Sequence, residues 1–116
     1  MVAAAYMLSR MSLTPGRIRH TVVFTLRHPD GSAEQEDFLA AAARLAVVVP
    51  GVDAFEVLRE VSPKNDYAFG LSMEFADRSA YDAYNAHPDH VSFVQDRWLA
   101  EVEDFLEIDY VAATAG

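Results

Sequence analysis

The chain has 116 residues, 52% of them hydrophobic and 23% charged, with no cysteine and a net charge of −9. That length and balance fit one globular domain of ordinary soluble composition, able to bury its own core. The 9 Lys and Arg residues are scattered, which disfavours nucleic acid and anionic membrane surfaces as partners. The missing cysteines exclude disulfides, thiolate nucleophiles and Cys-ligated zinc.

No apolar run approaches the ~20 residues that cross a bilayer, and a cytoplasmic location is the expectation. Residues 1–16 read as an N-terminal extension. Its opening Met1 to Leu8 is apolar but lacks a basic start, so it does not read as a secretory signal. Thr14-Pro15-Gly16 is a turn signal that separates it from a domain over 17–116. Ile18 to Leu26 alternates, with His20, Val22, Phe24 and Leu26 on one face, and predicts a strand. His28-Pro29-Asp30-Gly31 ends it.

Ser32 followed by Gln35 is a capping box, and Glu34, Glu36 and Asp37 suit a helix start. Phe38, Ala42, Leu45 and Val49 then fall at helical spacing as one buried stripe, and Pro50-Gly51 stops the helix. Val52 to Val61 reads as a second strand with Phe55, Val57 and Val61 on one face. After the Ser62 to Asp66 turn comes the clearest alternation, Tyr67 to Phe75. Its apolar face (Tyr67, Phe69, Leu71, Met73, Phe75) needs a helical cover, while small Ala68, Gly70 and Ser72 suit the approach of a second subunit.

Asp77 predicts the N-cap of a second helix bearing Ala80, Tyr81 and Tyr84. That helix must end near Ala86, because a residue before proline is pushed out of the α region. Pro88 can open a further helical segment, with Val91, Val94 and Trp98 as its buried ridge beside His90 and Phe93. Phe105 to Ala112 reads as the last strand. The order is strand, helix, strand, strand, helix, strand: an α+β, ferredoxin-like βαββαβ fold with an antiparallel four-stranded sheet.

Three segments carry a resemblance to a known family. They are Ile18 to Phe24, Asp66 to Phe75, and Tyr84-Asn85-Ala86-His87-Pro88-Asp89-His90. Together they resemble the stress-responsive A/B barrel (Dabb) family of the dimeric α/β-barrel superfamily, over roughly Arg17 to Ala112. The resemblance implies a homodimer joined through the sheet face, closing into an α/β barrel, with no cofactor. In plant polyketide cyclases of this kind, which fold a linear thioester by aldol condensation, the tyrosine–histidine pair lies where Tyr84 and His90 stand. A first-strand pocket histidine corresponds to His20. A third-strand pocket histidine aligns with Phe69, and an apolar stretch of the last strand carries Glu107 here, so the substrate is expected to differ.

The expected catalytic pair is therefore Tyr84 and His90, with His20, Phe24, Phe69 and Phe93 as substrate contacts. Histidine titrates near neutrality and suits a base, and a tyrosine hydroxyl can steady an oxyanion. The plainer reading makes the tyrosine a core residue, His20 a structural histidine and His87 a turn residue. A metal held by His87, Asp89 and His90 is disfavoured because the proline break spoils a one-face histidine pair, and no metal is expected. There is no Gly-x-Ser-x-Gly elbow for hydrolysis. The open alternatives are a cofactor-independent cyclase or lyase, a ligand-binding module for a small apolar or carbonyl-containing compound, and a non-catalytic stress-responsive dimer. A cavity of roughly 300 Å³ or more reaching Tyr84, His90 and His20 favours the first two.

Overall fold

The alternating segments pair as their apolar faces require. In a computed structural model that describes residues 12–114, β1 (Ile18–Leu26), β2 (Asp53–Arg59), β3 (Phe69–Phe75) and β4 (Val102–Tyr110) form one antiparallel sheet in the order β2-β3-β1-β4. Most of the expected N-terminal extension lies outside the described residues. Its final turn is present: the Arg17 amide donates to the Thr14 carbonyl at 3.1 Å, with Gly16 at φ 92° as the second central residue.

Helix α1 (Ala33–Val48) begins as the capping residues dictate, with the Gln35 amide donating to Ser32 Oγ at 3.2 Å. The Gln35 side chain reaches back one residue further than a capping box asks, accepting from the Gly31 amide at 3.3 Å. Phe38, Ala42, Leu45 and Val49 are all buried, as their spacing predicts. Helix α2 (Arg78–Ala86) is capped by Asp77, whose carboxylate accepts from the Ala80 amide at 2.8 Å, and it stops just before His87-Pro88. Phe24 and Phe38 are fully buried, their rings 5.9 Å apart, and Trp98 packs 5.1 Å from Phe24. Burial on this scale is worth about 1.5–3 kcal/mol for each large apolar side chain.

Three sequence expectations change. Helix α3 (Pro88–Phe93) runs into a π-helical stretch Val94–Trp98 and a last turn α4 (Leu99–Glu101), with the Leu99 amide donating back to Val94. Val91, ahead of the π turn, is 39% exposed rather than part of a buried ridge, while Phe93, Val94 and Trp98 are partly buried. The last strand starts at Val102 rather than Phe105 and ends at Tyr110. Val61 lies beyond the end of β2 and is exposed rather than packed.

One face of the sheet carries the helices, and the other carries none of the described elements. Register places Val23 opposite Leu106, Thr21 opposite Ile108, and Gly70 opposite Leu58 on the uncovered face. Leu58, Leu106, Ile108 and Tyr110 remain 37% to 49% exposed there.

Candidate functional site

The covered face brings the chemistry together by strand register. Antiparallel pairing sets His20 opposite Asp109, Val22 opposite Glu107 and Phe24 opposite Phe105. Residues directly opposite share a face, so two carboxylates of β4 join the apolar row of β1. His20 is buried, and its Nδ1 lies 2.6 Å from Asp109 Oδ1. The Tyr81 hydroxyl donates to Asp109 Oδ2 at 2.8 Å and lies 2.9 Å from His20 Nδ1. A ring nitrogen this close to a carboxylate must carry the proton, so Nδ1–H donates to Asp109 and the phenol donates to the other oxygen. His20 also lines a cavity, and its Nε2 makes no hydrogen bond among the described residues.

That cavity has a volume of about 150 Å³ and lies between the sheet, α1 and the α3–π segment. It reaches His20, Tyr84 and His90, at about half the roughly 300 Å³ that favours an enzyme or a binding module. A dry cavity of about this volume can hold a benzene ring. Its walls are apolar, from Leu45 of α1, Leu71 and Met73 of β3, and Trp98 of the π turn. Leu99, Phe105 and Glu107 are exposed as well as lining it, so the cavity reaches the surface along β4.

Tyr84 and His90 meet across the Pro88 break, their rings 4.3 Å apart and tilted by 49°. The His90 Nδ1–H donates to the Asn85 carbonyl at 3.2 Å, which leaves the Nε2 lone pair free to accept a proton. Burial lowers the His90 pKa below its ordinary value of 6.5, ahead of the opposing pull of the Asn85 carbonyl, so the ring is neutral near pH 7. Burial likewise pushes the Tyr84 hydroxyl up to about 12, with Glu107 adding to the effect. Tyr84 therefore remains a proton donor, and its hydroxyl makes no hydrogen bond among the described residues. Beneath both, the fully buried Phe75 ring lies 5.0 Å from Tyr81, stacked, and 5.1 Å from Tyr84.

Of the substrate contacts expected from sequence, His20 and Phe93 line the cavity; Phe24 and Phe69 do not. Phe24 is sealed among Phe38, Phe69 and Trp98, and Phe69 lies under the Arg59 guanidinium, 4.9 Å from its ring. His87 caps α3, its Nδ1 accepting from the Asp89 amide at 3.1 Å. Among the described residues no three His, Asp or Glu side chains converge as metal ligands, and no helix is long and apolar enough to cross a membrane. Sequence reasoning missed Tyr81 and Asp109. Tyr81 was within reach, three residues before Tyr84 on the same helix face, whereas Asp109 needed the β1–β4 register.

The sequence pattern of the Stress responsive A/B Barrel Domain family matches residues 18–112. The chain belongs to this family. Among solved structures, the A/B barrel chain is similar to a Dabb family protein of ferredoxin-like fold from Mesorhizobium loti. The two share 60% identity over 85% of this chain and 99% of that one, with a TM-score of 0.84. A dimeric ferredoxin-like protein of unknown function from Bacteroides fragilis shares the fold at 24% identity, covering 85% and 99% of the two chains, with a TM-score of 0.65. A hydroxynitrile lyase from Passiflora edulis shares it at 17% identity, covering 86% and 97%, with a TM-score of 0.73. No curated protein matches the sequence.

Proposed function

We propose that this A/B barrel protein is a cytoplasmic homodimer that binds a small carbonyl compound and acts on it by cofactor-independent acid–base chemistry of the cyclase or lyase type. One observation carries the reading. His20, His90 and Tyr84 line one largely apolar cavity, and His20 Nε2, His90 Nε2 and the Tyr84 hydroxyl make no hydrogen bond among the described residues. A few polar groups unspent on the protein, set among apolar walls, are what a small-molecule pocket uses to orient its ligand. In the proposed step, His90 Nε2 takes a proton from the carbon beside the carbonyl. The C–H electron pair moves into the enolate, and the Tyr84 O–H hydrogen-bonds the oxygen as it gains charge. Return of the proton, or attack of the enolate on a second carbonyl, completes the turnover.

The dimer would form through the uncovered sheet face, where Val23, Leu58, Leu106 and Ile108 present a contiguous apolar surface. The Bacteroides fragilis protein of the same fold is dimeric, and a lyase occurs on this fold. The test is deuterium exchange of the acetophenone methyl group in D2O, followed by proton NMR. The protein should accelerate exchange above the buffer rate, and His90→Ala should remove about 100-fold or more of that acceleration, as loss of a general base does. No acceleration, with acetophenone nonetheless bound, would leave a ligand-binding module as the function.

A further inference from the structure

We infer that the ligand of this cavity carries a protonated amine beside its aromatic or apolar body, held by Glu107 at the cavity rim. The inference rests on the reading of the cavity as the ligand site and adds the ligand's charge class.

Among the described residues, Glu107 is the only formally charged side chain lining the cavity, and no Lys or Arg lines it. The carboxylate has no ion pair or hydrogen bond among the described residues. By contrast, Arg17, Arg19, Arg59 and Arg97 are each paired with carboxylates elsewhere. A further negative charge, Asp109, stands two residues along the same strand face, hydrogen-bonded by His20. His90, neutral because burial disfavours its cation, does not offset Glu107.

The rest of the lining points the same way. Phe55, Tyr84, Phe93, Trp98 and Phe105 are five aromatic residues in the cavity lining. Aromatic faces attract cations through their quadrupole, and ammonium groups are recognised by aromatic walls joined to a carboxylate. A carboxylate or phosphate ligand would meet Glu107 with no compensating cation, and the chain as a whole carries a net charge of −9. A neutral aromatic would fill the apolar part and leave Glu107 unpaired. An arylalkyl ammonium pairs with the carboxylate and stacks its ring in the benzene-sized interior. For the reaction proposed above, the substrate class becomes an amino-substituted arylalkyl carbonyl compound.

Three probes of nearly equal size separate the possibilities: 2-phenylethylamine, 2-phenylethanol and phenylacetate, titrated into the full chain by calorimetry and ligand-detected NMR at neutral pH. The expected order is amine, then alcohol, then carboxylate. The amine should bind about tenfold more tightly than the alcohol, a margin that combines one partly exposed ion pair with a cation–π contact. Added salt should shrink that margin, since the carboxylate is at the rim. Glu107→Gln should abolish the margin while leaving 2-phenylethanol binding in place, which also shows that the cavity is intact. Phenylacetate binding as tightly as the amine would overturn the inference, as would an amine preference that survives Glu107→Gln. If none of the three probes binds the wild-type protein, the reading of the cavity as a ligand site fails first.

Discussion

Replacing Asp109 by alanine removes the one group that both His20 and Tyr81 use. Two buried donors then lose their acceptor at once: His20 Nδ1–H, whose side chain is 8% exposed, and the Tyr81 hydroxyl. An unsatisfied buried donor costs about 1–3 kcal/mol. The Asp109 side chain is itself 36% exposed, so water can enter the space that it leaves, and the low end applies, about 2 kcal/mol in total. For a domain of this size that corresponds to a Tm lower by roughly 10 °C. Tyr81→Phe removes a single donor and should cost about 1 kcal/mol. The double variant should cost about 1 kcal/mol less than the sum, because one lost bond is then counted twice. Urea unfolding followed by Trp98 fluorescence at fixed protein concentration measures all three, and nitrogen NMR reads which His20 nitrogen carries the proton. Strict additivity, or an Asp109→Ala cost below about 0.5 kcal/mol, the range of ordinary surface changes, would refute the network.

Other expectations follow from the same contacts. Phe24→Ala, at the meeting point of three aromatic rings, should cost about 3–5 kcal/mol in the same unfolding assay. Asp77→Ala should cost about 1 kcal/mol through loss of the α2 cap. The His90 pKa is lowered on folding, so the unfolded chain binds the proton more readily; stability should fall as pH drops below 6.5, and His90→Ala should flatten that part of a Tm–pH profile. Arg97, followed by His28, lowers the Glu101 pKa, so its contribution should disappear as pH falls through 4.5 and below. Leu106→Lys places a charge on the uncovered sheet face and tests the proposed sheet-face dimer: light scattering should read a dimer for the parent and a monomer for the variant, without loss of secondary structure.

Sequence by itself determined the element order, the α1 stripe, both helix caps and the break at Pro88, because each follows from contacts within a few residues. Period-2 alternation in β1 and β3 settled which side chains face the helices. It also brought Tyr84, His90 and His20 forward as candidates, through a motif and a strand pattern. Tertiary structure decided the rest. The inserted π turn re-aimed the helix after Phe93, since local spacing carries no sign of an extra residue in a turn. Phe24 and Phe69, expected at the ligand, are held in the core, Phe24 among the rings of Phe38, Phe69 and Trp98 and Phe69 between Phe24 and the Arg59 guanidinium. Glu107 was already placed at the pocket by the family resemblance, whereas Asp109 entered the site only through the pairing of β1 with β4, a register fixed by contacts nearly 90 residues apart along the chain. A hydrophobic pattern names the faces of a strand, but only the packed sheet says which side chain stands opposite which, and that is where this site acquires its charge.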